Sequence, residues 1–145
     1  MDFAKDWSAD DTAGLLAMLG STAADIDSTK QVFKQPGAFE QNPLIGKHPS
    51  GANLDTAGIV AGTITGGAAA LAPSGTRGNI LDAATAVHTL AALNNYNQAG
   101  TQNDPKNIAT LATLGLLLGS KYLPKGVTPY VGPQRGFGVN FEKKF

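Results

Sequence analysis

Three glycines recur at every fourth position within the most apolar stretch of the chain. Gly58, Gly62 and Gly66 lie in a segment, Leu54 to Ala72, whose one charged residue is Asp55. Each glycine inside a helix costs about 1 kcal/mol relative to alanine, so this spacing needs a structural reason. Small residues four apart let two helices approach closely, most often inside a bilayer. The segment is therefore predicted to be a helix that packs through its glycine face.

The first 123 residues contain four weakly polar segments with helical spacing. Chain breakers separate them, at Pro36-Gly37, at Pro73-Ser74-Gly75 and at Asp104-Pro105. The predicted helices cover about 8–33, 54–72, 80–96 and 107–123. The expected fold class is thus mainly α, a bundle of about four helices.

Capping and spacing give these helices further detail. Ser8 is placed to cap the first helix, and Asn79 is placed to cap the third. The predicted apolar stripe of the first helix follows spacings of four and three, at Leu15, Leu19, Thr22, Ile26, Thr29 and Phe33. The fourth segment repeats the small-residue spacing at Gly115 and Gly119, which we predict to be a second helix-packing face.

The chain changes character after residue 123. Glycine and proline exclude helix over 124–145, where four large residues alternate with small or polar ones: Phe137, Val139, Phe141 and Phe145. We therefore divide the chain into a helical domain, 1–123, and a strand-like basic tail, 124–145, that forms a short β strand or hairpin. The large face of the tail is predicted to contact a neighbouring subunit or the chain's own bundle, since unpaired strand edges seek partners.

Charge and composition exclude several classes of protein. Eleven basic residues balance eleven acidic ones, which disfavours a globally basic nucleic-acid binder. Five basic residues in the tail and just before it could make weak contact with nucleic acid or anionic lipid: Lys121, Lys125, Arg135, Lys143 and Lys144. The acidic amino end does not fit a cleavable signal peptide. We expect no cofactor.

Specific chemical motifs are also few. The chain has no cysteine, which excludes thiolate chemistry, and its two histidines, His48 and His88, fall on different segments, so we expect no metal site. The stretch Gly75-Thr76-Arg77-Gly78 lacks the context of a phosphate-binding loop.

The loop between the first two helices is the richest in polar groups. It runs Asn42-Pro43-Leu44-Ile45-Gly46-Lys47-His48-Pro49-Ser50, and two X-Pro steps give it a defined shape. With Asp27 late in the first helix, the loop suggests a hydrolase in which Asp27 orients His48 and Ser50 supplies a hydroxyl. The alternative, which we favour, is that these groups satisfy loop backbone where two helices meet.

This loop resembles that of a group of small helical, presumed integral-membrane proteins of tailed bacteriophages and bacteria. Their pattern is similar to Asn-Pro, two hydrophobic residues, Gly, any residue, then His-Pro-Ser, and the likeness covers about residues 10–97. The resemblance implies helical architecture and membrane location rather than an activity. It carries over structural roles for five positions: Asp27, Asn42, Gly46, His48 and Ser50. The glycine-rich second helix, the fourth helix and the basic tail depart from the pattern.

These observations predict a non-enzymatic structural protein of the phage type, either membrane-associated or a virion component. It would form homo-oligomers through its Gly/Ala helix faces and contribute to a pore or conduit for genome delivery. Its partners would be further copies of the chain, other virion proteins and a lipid bilayer, in the virion or the host cell membrane. The alternative is a soluble minor head or tail protein without membrane contact.

Overall fold

Four helices and a hairpin make up the computed structural model, which describes residues 7–38, 45–120, 127–131 and 137–141. The helices are α1 (Ala9–Val32), α2 (Gly51–Leu71), α3 (Ser74–Gln98) and α4 (Pro105–Ser120). Two strands, β1 (Val127–Val131) and β2 (Phe137–Phe141), pair antiparallel, with Val127 opposite Phe141. The predicted helical architecture is therefore confirmed.

The helix boundaries differ from the predicted ones mainly at the amino ends. α2 begins three residues early because Ser50 caps it, accepting a hydrogen bond from the Asn53 amide at 3.1 Å. α3 begins six residues early, so Asn79 lies inside it and does not cap it. Its first turn forms because the Pro73 carbonyl accepts from the amides of Thr76 and Arg77. Residues 121–123 of the predicted fourth helix lie outside the described residues.

The amino end of α1 forms as its sequence predicts. Ser8 and Asp11 make a capping box, in which the Ser8 hydroxyl accepts from the Asp11 amide at 3.0 Å and the Asp11 carboxylate accepts from the Ser8 amide at 2.9 Å. Acidic residues also complement the positive end of the helix dipole. This end of α1 is thus fixed by contacts within its own first turn.

α1 and α3 run parallel and form the centre of the bundle. Cross-helix contacts keep one register, from Arg77 against Asp11 at one end to Asn95 against Thr29 near the other. α2 runs antiparallel along one side of this pair and shares a buried cluster of Met18, Ala69 and Leu81. α4 runs antiparallel along another side, where its Leu114 packs in a buried cluster with Ala24, Ala92 and Tyr96.

The glycine face of α2 packs against α1 of the same chain. A Cβ atom added at Gly58 would overlap the side chain of Ile26, while one at Gly62 would lie 3.5 Å from Leu19 Cδ2. One at Gly66 would lie 3.5 Å from Leu15 Cδ1. The predicted apolar stripe of the first helix is thus the surface on which the α2 glycines lie.

The glycines of α4 are placed differently. Gly115 is exposed, with nothing within 4 Å of a Cβ atom built there. Gly119 lies in the last turn of α4, and its surroundings are outside the described side chains. No helix of the described chain covers Gly115.

The seam between α1 and α3 is built from small and polar residues. Buried positions of α1 follow spacings of three and four, through Asp11, Gly14, Met18, Ser21 and, one heptad later, Ser28. The small residues of this set, Gly14, Ser21 and Ser28, are seven residues apart, which allows close approach of α3. The seam therefore lies about a third of a turn from the stripe of larger apolar residues that faces α2.

Buried hydroxyls in this seam are satisfied by their own helices. Ser21 donates to the Met18 carbonyl at 2.8 Å, and Thr85 donates to the Leu81 carbonyl at 2.7 Å. Bonding to a carbonyl three or four residues back lets serine and threonine occupy a helix interface without a partner across it. The seam can therefore be polar in sequence and still dry.

Arg77 joins three helices at the end of the bundle where α1 begins. Its Nη1 donates to Asp11 Oδ2 at 3.1 Å, and its Nε donates to the Ala69 carbonyl at 3.1 Å. Its Nη2 donates to the Ala72 carbonyl at 3.3 Å, and the Trp7 ring centroid lies 4.6 Å from its Cζ. The guanidinium thereby supplies donors to two carbonyls at the carboxyl end of α2, where donors within the helix run out.

The ionisation of Asp11 reflects this contact. Burial acts to raise the pKa of Asp11, but hydrogen bonds from Ser8 and the contact with Arg77 outweigh it and leave the pKa below its ordinary value. A lowered pKa means that the ionised carboxylate stabilises the native state at neutral pH. This contribution is lost as the pH falls through the pKa of the folded state.

We expect Arg77→Met to lower the free energy of unfolding by about 3–5 kcal/mol, because it leaves the Asp11 carboxylate buried without its partner. The control is Lys30→Met, which breaks the exposed Lys30–Asp55 pair and should cost less than about 1 kcal/mol. Urea unfolding followed by circular dichroism measures both. Equal losses in the two variants would contradict the role assigned to Arg77.

Candidate functional site

A groove of about 920 Å³ lies between α1, α2 and α3, and we call it the three-helix groove. Its α2 wall is mostly apolar, with Leu54, Ala57 and Ala61 beside the polar Asn53 and Thr56, and its rim carries Val60 and Ile64, which are 50% and 67% exposed. The opposite sides carry polar side chains from α1 and α3: Thr22, Asp25, Thr29, His88, Asn94, Asn95 and Gln98. The size falls within the range of small-molecule sites, about 300–1,000 Å³.

Asp25 and His88 form a polar pair in the side of this groove. His88 Nδ1 lies 2.9 Å from Asp25 Oδ2, and because a carboxylate only accepts, the imidazole N–H donates to it. The Asn95 amide donates to the other oxygen, Asp25 Oδ1, at 3.2 Å and to Thr29 Oγ1 at 2.9 Å. The heptad spacing of α1 places Asp25 in the seam with α3, which is why residues of α3 reach it.

A second polar network lies on the side of α1 that faces α4. Tyr96 donates its hydroxyl to Asp27 Oδ2 at 3.2 Å, and Gln31 donates to the same oxygen at 2.9 Å. Thr101 in turn donates to Gln31 Oε1 at 2.6 Å. Burial raises the pKa of Tyr96 to about 12, and the neighbouring Asp27 carboxylate adds to this shift.

The predicted loop residues do not assemble around Asp27. Its carboxylate is bound by Tyr96 and Gln31 and pairs with Lys106 at 3.7 Å, on the α3 and α4 side of α1. His48 is exposed, and the hydroxyl of Ser50 is used to cap α2. The suggested hydrolase arrangement of Asp27, His48 and Ser50 is therefore not found.

The rest of the loop and the tail are described in part. Gly46 has a φ of +83°, a left-handed conformation that favours glycine, whereas Asn42 lies outside the described residues. Three of the predicted tail-contact residues lie in β2: Phe137, Val139 and Phe141. Phe145 and the five basic residues, Lys121, Lys125, Arg135, Lys143 and Lys144, lie outside the described part of the chain.

Sequence analysis missed the partners of Asp25, Asp11 and Asp27. Each of these aspartates has a partner in α3, 63 to 69 positions further along the chain: Asp11 contacts Arg77, Asp25 contacts His88 and Asp27 contacts Tyr96. The three intervals differ, so a fixed spacing in the sequence does not identify these pairs. The apolar stripe of α1 predicts the face that contacts α2, but not the face that contacts α3.

Tyr96 is expected to remain un-ionised up to a pH of about 12, because ionisation would bury a second anion beside Asp27. Since its pKa is raised on folding, its contribution to stability is complete below about pH 10, the value for an unfolded chain, and falls as the pH rises towards 12. Alkaline unfolding of the unaltered chain and of Tyr96→Phe, followed by circular dichroism, measures this. The variant should lose that part of the pH dependence, and identical alkaline profiles would contradict the account.

Comparisons with family models, with curated proteins and with solved structures gave no match to this chain. Its function therefore has to be inferred from two features of the molecule. These are the three-helix groove and the exposed surface of α2.

Proposed function

We propose that the chain is a non-enzymatic structural protein of the phage type that attaches to a lipid bilayer through the outer face of α2. The observation that carries the proposal is the exposure of this helix. α2 has 21 residues and a mean hydropathy of 1.3 over its most apolar window, of which only 17% is buried. A stretch of about 20 apolar residues matches the thickness of a bilayer core.

The exposed side chains of α2 are large and apolar. Ile59, Val60, Ile64 and Leu71 are each at least half exposed, and no charged residue follows Asp55 in the helix. A contiguous apolar surface of this kind is typical of a site that contacts a membrane or a protein. Apolar residues also lie uncovered on the outer side of α3: Val87, Leu90 and Leu93.

The mode of attachment follows from how α2 is held. Its glycine face lies on α1, which carries charged residues near both of its ends, so α2 crosses a bilayer only if it leaves the bundle. Lying on the membrane surface requires no such separation, because the apolar side chains already face outward. We therefore propose surface attachment as the resting state, with α2 as the element that enters the interface.

Assembly into a homo-oligomer is part of the same proposal. The α2 glycines are occupied by α1, so contacts between copies would use the exposed Gly115 face of α4 and the terminal hairpin. The hairpin contacts α4 of the same chain through β1, and we propose that β2 docks on a neighbouring copy, because a two-stranded hairpin is marginally stable without further support. A ring of such copies would supply the conduit for genome delivery, with other virion proteins as further partners.

Replacing an exposed apolar residue of α2 with a charged one should release the protein from membranes. We expect Ile59→Glu to reduce co-flotation with phospholipid vesicles by at least about tenfold, because burying a carboxylate at the interface is costly. The matched control is Leu16→Glu on the outer face of α1, since Leu16 and Ile59 are 64% and 69% exposed. This control should float as the unaltered chain does.

The same experiment separates the membrane proposal from its alternative. Failure of the unaltered chain to float, with recovery as one species in plain buffer, would contradict membrane attachment. It would instead support a soluble minor head or tail protein, whose α2 face is covered by another protein. Flotation that is equally strong in both variants would show that α2 is not the attachment surface.

A further inference from the structure

The three-helix groove has a chemical character that membrane attachment through the outer face of α2 does not explain. One wall is mostly apolar along α2, while Asp25, His88 and Asn95 meet on the opposite side. Ligand sites typically combine a mostly apolar lining with a few polar groups that converge. The groove thus suits a molecule with an apolar body and one polar end.

The charge of the groove determines which polar group the end of the bound molecule carries. Among the described lining residues, Asp25 is the one permanent charge, and its side chain is 23% exposed. The carboxylate accepts one bond from His88 and one from Asn95, whereas a carboxylate has about four acceptor positions. A donor entering the groove therefore finds unused acceptor positions on an anion.

Helix dipoles add little charge at Asp25. α1 and α3 run parallel, so their carboxyl ends lie at the same end of the groove, where Val32, Phe33 and Gln98 line it. The effect of a helix dipole falls off within the last turn, and the amino ends of the antiparallel helices α2 and α4 lie at the same end of the bundle. The Asp25 side chain is therefore the group that favours a cation and disfavours an anion.

We propose that the three-helix groove binds a single-chain amphiphile whose head is a protonated primary amine. The ammonium group donates to the Asp25 carboxylate, and the alkyl chain lies along Ala57 and Ala61 of α2. The His88 and Asn95 bonds hold the carboxylate in position for this contact. The assignment does not depend on membrane attachment, because it concerns the inner wall of α2 rather than its outer face.

The test uses the purified full chain with dodecylammonium and dodecanoate, each below its micelle concentration and without vesicles. Isothermal titration calorimetry gives the affinities, and proton NMR of the two imidazole rings gives the location. His48 is exposed in the loop between α1 and α2 and serves as an internal reference for His88. We expect saturable binding of one dodecylammonium, at least about tenfold tighter than dodecanoate, with a shift of the His88 resonances alone.

Two variants locate the site further. Ala61→Phe fills the groove and should weaken dodecylammonium binding at least about tenfold, while Ala23→Phe, on the outer side of α1, should not. Asp25→Asn removes the charge while keeping the shape, and should reduce the preference for the amine. Circular dichroism checks that each variant folds.

Several outcomes would overturn the proposal. These are no saturable binding, equal affinity for the two amphiphiles, or full affinity in Ala61→Phe. If Asp25→Asn does not fold, the comparison of the two amphiphiles on the unaltered chain and the pair of phenylalanine variants still decide the matter. Loss of vesicle flotation in Ile59→Glu tests the other proposal and leaves these results unaffected, because Ile59 does not line the groove.

Discussion

The buried contact between Arg77 and Asp11 is the constraint on which the arrangement of the helices depends. The Arg77 guanidinium binds the carboxylate in the first turn of α1 and carbonyls at the carboxyl end of α2. The Arg77 backbone amide forms part of the first turn of α3. Burying a charge is costly unless it is paired and hydrogen-bonded, so the three helix ends must meet for the native state to form. This contact therefore sets α1 parallel to α3 and α2 antiparallel to α1.

The parallel pair of α1 and α3 determines where the apolar residues lie. Its seam is filled by small and polar residues such as Ser21, Ser28 and Thr85, so the larger apolar side chains lie on other faces of the helices. On α1 those side chains support the glycines of α2, and on α2 they face outward. The exposed apolar surface of α2 and the polar side of the three-helix groove therefore both result from the packing of small and polar residues between α1 and α3.

Local signals in the sequence were sufficient for the helices but not for their pairing. The Ser8 capping box, the Asp104-Pro105 start of α4 and the packing role of Gly58 follow from residues within one turn of each other. The Arg77–Asp11 and Asp25–His88 pairs depend on contacts more than 60 residues apart. Such contacts leave no hydrophobic period in the sequence, because serine, aspartate and asparagine replace leucine at the buried positions.

The central claim is that α1 and α3 hold the bundle together while α2 is a peripheral helix that meets the membrane. Amide hydrogen exchange of the full chain, with and without phospholipid vesicles, tests this most directly. The account predicts slowest exchange in the seam of α1 and α3, faster exchange in α2, and slowing of α2 exchange when vesicles are added. Exchange in α2 as slow as in α1 and α3, and unchanged by vesicles, would contradict it.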